Sequence, residues 1–317
     1  MSKDATIDPA PVTVSTPPVI LLGMHRSGTS LIARLLDELG LFQGHELQED
    51  HESTHFLDIN ETLLRRVGAT WDNPAPMRAF LENTEAVDLT VRCLRQDVSG
   101  RQIAGFLGKK LFGKYRGLAR FERPWGWKDP RTVFSLSLWL KLFPNAKVVY
   151  IVRNGVDVAS SLRVREIREL ARRHEEFGAK QKNTGRLTKH SLLQRAGFKG
   201  SARCLTLDGA FSLWEEYVAE AERQLAAAPN ERLVVNYERF CADPNDTNNG
   251  LAALVKFCGL SAAADALEGA AKNIDTGRAR AFLADAELSD FYRRVKDTEW
   301  MKQYGYSTLL EATARNG

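Results

Sequence analysis

The sequence has few cysteines and does not pair them. Cys93, Cys204, Cys241 and Cys258 are the only four in 317 residues, and none form a Cys-x-x-Cys pair. That excludes a zinc ribbon and a redox dithiol. They read as buried free thiols, which fits a reducing compartment and an expected cytoplasmic location. The six histidines, His25, His45, His51, His55, His174 and His190, contain no His-Glu-x-x-His pattern, so no catalytic metal is expected. No apolar run approaches the ~20 residues of a membrane span, so no integral membrane segment is expected. Residues 1–16 lack the basic start and apolar core of a secretory signal. Residues 1–17, rich in Pro, Thr, Ser and Asp, read as a disordered tail. A strong charge of one sign is absent too. The 44 Lys and Arg against 40 Asp and Glu leave +4, too little to indicate a nucleic-acid partner, although it suits an anionic small molecule.

What is present is a chain with an ordinary globular balance, 44% apolar and 26% charged, long enough to bury a large core. Its organising stretch is Val19-Ile20-Leu21-Leu22-Gly23-Met24-His25-Arg26-Ser27-Gly28-Thr29-Ser30. An apolar run enters a loop with two glycines. Leu31, Ile32, Leu35, Leu36 and Leu39 then share one helical face. Buried strand, glycine loop and amphipathic helix aim backbone N–H groups and the positive end of a helix dipole at one point, where an anion belongs. The spacing Gly23-x-x-x-x-Gly28 is that of a phosphate-cradling loop. The next residue is Thr29, where a nucleotide triphosphatase carries Lys, and the cation of this loop is Arg26. A glycine turn that only joins strand to helix is the plain alternative.

A second turn follows Lys147 to Val152. The near-continuous apolar run Val148–Val152 predicts a strand buried on both faces, with Arg153 at its carboxyl end. A helix is expected from about Val156, and Ser161 stands eight residues after Arg153, with Ser160 beside it. Arginine offers a bidentate contact to a phosphate, and a hydroxyl adds one donor.

The two motifs together resemble the sulfotransferases that use 3′-phosphoadenosine 5′-phosphosulfate (PAPS). The resemblance implies an α/β fold, one domain over residues 18–317 with a central parallel sheet flanked by helices and a P-loop-like donor site. It implies that Arg26, Ser27, Gly28, Thr29 and Ser30 hold the 5′-phosphosulfate, and that Arg153 and Ser161 bind the 3′-phosphate. Arg26 is also the expected catalytic cation, and no metal is required. The family's base, a Glu near the start of the helix that follows the first one, corresponds best to Glu52. His51, His55 and Asp58 are the local alternatives, and a structural cluster that complements the helix dipole is the plain one. The implied acceptor is a small-molecule or glycan hydroxyl, preferably of a carbohydrate or glycolipid. A P-loop kinase or nucleotide hydrolase, and a non-catalytic nucleotide-binding protein on the same fold, are the competing classes.

The remaining expectations are coarser. A second helix is predicted from His51, with Phe56, Ile59, Leu63 and Leu64 facing the core and Ser53 or Thr54 as cap. Trp127-Lys128 should end a strand before Asp129-Pro130-Arg131, a segment that also resembles the family; Lys128 or Arg131 touching the donor or acceptor is one reading of it, and a structural Asp129–Arg131 arrangement is the other. Tyr237, after a short strand, is expected either beside the nucleotide or buried and hydrogen-bonded. Arg278 or Arg280 is a loose match to a loop that closes the donor site. Residues 163–203, strongly basic, read as an extended helix and then a mobile excursion. A homo-oligomer is left open.

Overall fold

The computed structural model describes residues 10–181, 197–246, 250–272, 274–275 and 279–309. These fall into two compact units. The first comprises Met1–Arg153 and Tyr217–Ala279, the second Asn154–Glu216 and Arg280–Gly317.

The first unit holds a four-stranded, all-parallel sheet. In chain order its strands are β1 (Val19–Leu22), β2 (Gly126–Lys128), β3 (Lys147–Val152) and β4 (Arg232–Asn236), and the spatial order is β2-β1-β3-β4. Between β1 and β2 lie α1 (Thr29–Glu38), α2 (Thr54–Arg66), α3 (Ala75–Leu81), α4 (Thr84–Ser99) and α5 (Ala104–Tyr115). Helix α6 (Thr132–Leu142) joins β2 to β3. After β3 come α7 (Gly155–Gln181) and α8 (Leu207–Ala227), and after β4 come α9 (Tyr237–Ala242), α10 (Leu251–Phe257) and α11 (Ala264–Lys272). The last two helices are α12 (Ala286–Val295) and α13 (Glu299–Gln303).

Parallel pairing fixes where the strands end. Leu21 aligns with Lys128 on one side and with Val149 on the other, and Val152 aligns with Asn236. Gly23, Asp129, Arg153 and Tyr237 each follow the last residue of a strand, so all four leave the sheet at its carboxyl edge, where ligands bind in open α/β sheets. The sheet is held in place by two apolar layers. Val19, Leu21, Val149, Ile151 and Val235 pack with Ile32, Leu35 and Leu36 of α1 and with Phe240 and Leu254. Trp127, in register with Ile20, faces the other way because side chains alternate along a strand. There it stacks on Phe56 of α2 at 4.1 Å and meets Trp139 of α6 edge-on at 5.2 Å. Losing a ring from such a layer costs about 3–5 kcal/mol.

Two sequence expectations change, and one is sharpened. Helix α2 begins at Thr54, directly after Ser53, one of the two expected caps, while His51 stays outside it at φ +61°, a left-handed conformation that a helix cannot absorb. Ser53 takes the cap position with no side-chain capping bond. Residues 10–17 are not a free tail. The Val12 N–H donates to Leu142 O at 2.9 Å, and Trp125 Nε1 donates to Thr16 O at 2.8 Å, so this segment is tied to the body. Residues 1–9 lie outside the described residues. Cys93 is exposed, whereas Cys204, Cys241 and Cys258 are buried; burial pushes the Cys258 thiol up to about 12.

The second unit is organised on α7. Asn154 Oδ1 accepts the Val156 N–H at 2.9 Å and opens the helix. The buried Asp157 carboxylate accepts the N–H groups of Arg280 and Phe282 at 2.9 and 3.0 Å. The helix continues to Gln181, as the extended-helix reading of residues 163–203 expects. Residues 182–196, the expected excursion, lie outside the described residues. Beyond them Ser201 is buried and its N–H donates to Glu166 Oε2 at 2.9 Å.

Candidate active site

The loop after β1 has glycine where only glycine fits. Gly23 lies at φ +155°, and a Cβ there would come within 2.7 Å of Ile151 O and 2.8 Å of Thr29 Cγ2. Gly28 lies at φ +93°, and a Cβ there would fall 2.2 Å from the Tyr237 ring. Arg26, at φ +68°, is exposed. The left-handed residues at 26 and 28 turn the chain into α1, whose first turn carries no acidic residue and no side-chain cap. The orphan N–H groups of that turn are thus left for an anion. Ser27 commits both its N–H and its hydroxyl to Met24 O, at 3.2 and 2.6 Å, and so fixes the turn. Thr29 is buried and Ser30 is partly exposed.

Arg153 lies against this loop. Its Nη1 donates to Arg26 O at 3.1 Å, and its guanidinium stands 4.7 Å from the Tyr237 ring centroid, a cation–π distance. Tyr237 therefore touches both motifs, Gly28 on one side and Arg153 on the other. Ser161 and Ser160 are partly buried residues of α7, in the second unit. Arg280 is exposed, and Arg278 lies outside the described residues.

On the other flank of the loop a charged cluster assembles from three distant segments. Lys128 Nζ donates to Ser30 Oγ at 3.2 Å, to Asp50 O at 3.0 Å and to Glu52 Oε1 at 3.0 Å. Arg131 Nη1 reaches Glu52 Oε2 at 3.4 Å and Asp129 Oδ1 at 2.9 Å. Lys128, Glu52 and Asp129 are all buried. Burial pushes the Asp129 carboxyl up, against the pull of Arg131 and Asn60. Burial also works against the charge on Arg131, but Asp129 and Glu52 overcome it and hold that guanidinium protonated. Asn60, which nothing in the sequence singled out, fixes the group from below. Its Nδ2 donates to Asp129 Oδ2 at 2.9 Å, and its Oδ1 accepts from Ser135 Oγ at 2.8 Å and Trp139 Nε1 at 2.9 Å. The only signal in the sequence is a polar residue between Phe56 and Leu64 on the buried stripe of α2.

The local alternatives to Glu52 point elsewhere. His51 Nε2 sits 3.2 Å from Asp37 Oδ2. Asp58 is exposed on α2. His55 packs edge-on to Phe56 at 5.4 Å, and burial, only partly offset by Asp58, holds its imidazole below the ordinary value. Of the four, Glu52 is the one joined to the loop, through Lys128. Beside the loop His25 meets Trp71 edge-on at 5.0 Å, and the Tyr217 hydroxyl donates to Trp71 O at 2.8 Å. No group of His, Cys, Asp and Glu among the described residues could hold a metal ion, and no described helix is long and apolar enough to cross a membrane.

Fold and site define an α/β protein in which the loop after β1 is contacted by an arginine and by a lysine from the neighbouring strand. A sequence profile of the sulfotransferase family matches residues 17–264, and the chain belongs to that family. A comparison with curated proteins found no match. Among solved structures, the chain is similar to the sulfotransferase domain of the Synechococcus PCC 7002 olefin synthase (16% identity, 96% of each chain covered, TM-score 0.41). It is also similar to the sulfotransferase STF1 of Mycobacterium tuberculosis (16% identity, 89% of this chain and 76% of that one, TM-score 0.41). The third is the sulfotransferase STF9 of Mycobacterium avium (16% identity, 90% and 77%, TM-score 0.40).

Proposed function

We propose that this sulfotransferase takes its sulfuryl group from PAPS and passes it to an acceptor hydroxyl. The observation that supports the reading is the convergence on one loop of an uncapped helix N-terminus, three cations and one carboxylate. Arg26 belongs to the loop, Arg153 donates to its backbone, and Lys128 bridges Ser30 to Glu52. The donor supplies a sulfuryl group whose bond to the phosphate oxygen breaks as the acceptor oxygen bonds to sulfur. Arg26 and the N–H groups of α1 balance the charge left on the phosphate, as loop dipoles and cations do in phosphoryl transfer. Lys128 is the second cation at that end and orients the Ser30 hydroxyl. Glu52, held by Lys128 and Arg131, is the carboxylate that takes the acceptor proton. Arg153 and Ser161 hold the 3′-phosphate; for Ser161 the support is its spacing from Arg153 alone. Ser27 and Gly28 shape the loop, and Thr29 and Ser30 sit at its anion end.

A carbohydrate or glycolipid hydroxyl is the preferred acceptor, on family resemblance. A purified enzyme incubated with PAPS and a panel of sugars, glycolipids, alcohols and phenols, read by mass spectrometry, tests transfer and acceptor together. Adenosine 3′,5′-bisphosphate should raise the melting temperature by several degrees without metal. If only ATP with Mg²⁺ raised it and was turned over, the kinase or hydrolase reading would replace this one. Stabilisation by the bisphosphate with no product from any acceptor would favour a binding protein, although Glu52 beside the loop speaks for chemistry.

A further inference from the structure

Helix α7 carries an apolar stripe that the described residues leave open. Val164 and Ile167 are 40 and 49% exposed, and Phe177, farther along, is 42% exposed. Val164, Ile167, Ala171, His174 and Gly178 recur at alternating steps of three and four residues. That is the spacing of a helix–helix seam, with Val164 and Ile167 as its large apolar members, and here it runs for ~21 Å.

The charges beside the stripe are more selective than the stripe itself. Arg163 pairs with Glu287, Arg165 with Glu166, and Arg172 and Arg173 with Glu169 and Glu176. Among the described residues, Arg168 and Glu175 make no ion pair. They are seven residues apart, two helical turns, and so flank the same edge of the stripe. Bring up a second α7, antiparallel, about a two-fold axis between Ala171 and Arg172. Arg168 of each copy then falls opposite Glu175 of the other. The same axis puts the small Ala171 at the crossing, where two backbones can approach, and brings Ile167 toward the turn that carries Phe177 of the second copy. One surface that complements itself is the requirement for a symmetric dimer. From 163 to 177 α7 has five arginines against four glutamates, so an anionic membrane has little charge to hold.

We propose that this face of α7 docks a second copy of the chain. A single helix pair lies at the small end of specific interfaces, so the dimer should be concentration-dependent. Sedimentation velocity of the full chain, from about 2 to about 200 µM, should show the mass rising toward twice that of one chain. Ile167→Asp should raise the dimer dissociation constant at least ~10-fold. Arg168→Glu and Glu175→Arg should each raise it by ~3–10-fold, and the two together should restore it to within about twofold of the parent. All three residues are exposed, and among the described residues Arg168 and Glu175 make no ion pair, so melting temperature should not move, which separates lost docking from lost folding. A chain that stays monomeric throughout, or a double variant that does not recover, overturns the proposal. So does a parent chain that binds phosphatidylserine vesicles when Ile167→Asp does not, which would give the face to a membrane.

Discussion

The two flanks of the β1 loop are built in different ways. One is contiguous: Gly23, Arg26, Gly28 and Ser30 lie within eight residues, and the first three shape the turn through positive φ angles. The other is assembled: Glu52, Lys128 and Arg131 meet only because β2 pairs with β1 in parallel and α2 packs over Trp127. The contiguous flank presents backbone donors and an exposed cation. The assembled flank presents a buried carboxylate paired with two cations. A turn can shape itself locally, but a buried carboxylate with two cationic partners has to be held by the whole fold.

Variants should separate the two. Arg26→Ala truncates an exposed side chain, so the melting temperature should change slightly while turnover falls by ~10²–10³-fold or more. Sulfuryl transfer at parental rate in that variant would remove the loop cation from the mechanism. Glu52→Gln should differ in its effect on stability. Turnover should drop by ~10²–10⁴-fold with binding of adenosine 3′,5′-bisphosphate almost kept, and stability should suffer because Lys128 and Arg131 lose a buried partner, at a cost of about 3–5 kcal/mol. Turnover and unfolding free energy, measured on the same preparation, check both claims. Glu52→Gln with normal turnover and lowered stability would make this residue a strut, not a base.

The same contrast explains what could be read from the sequence. Strand, turn and helix around residues 19–39 were legible because their signals are adjacent, and β3 with Arg153 repeats the pattern. That Arg153 returns to Arg26, 127 residues away, follows once the sheet is parallel. Glu52 could be nominated but not placed, since its partner Lys128 lies 76 residues on and no local pattern encodes that contact. Asn60 went unread for the same reason: its partners, Asp129, Ser135 and Trp139, come from another segment. The cap of α2 at Ser53 is legible from its residue type, whereas the left-handed backbone of His51 leaves no mark in the sequence. Residues 10–17 were misjudged because their tethers, Leu142 and Trp125, are also distant.

The smallest effect concerns acid, and it falls on the assembled flank alone. His55 packs among Phe56, Phe106 and Gly105, and burial lowers its folded pKa below the ordinary 6.5. The unfolded chain therefore binds this proton at a higher pH than the folded one does. Where the unfolded state holds more protons, stability rises with pH. Above about pH 7 the ring is neutral in both states and contributes no slope; as pH falls through 6.5 and on toward the folded value, stability drains away. His55→Leu removes the titrating group and keeps an apolar side chain in the layer. Its melting temperature relative to the parent should therefore rise between about pH 7.5 and about pH 5.5, whatever its offset at neutral pH. A difference that stays constant with pH would mean that the unfolded chain and the folded one protonate His55 alike. The dry environment of the helix that follows Glu52 would then need to be reconsidered, while the loop at residues 23–30 would be untouched.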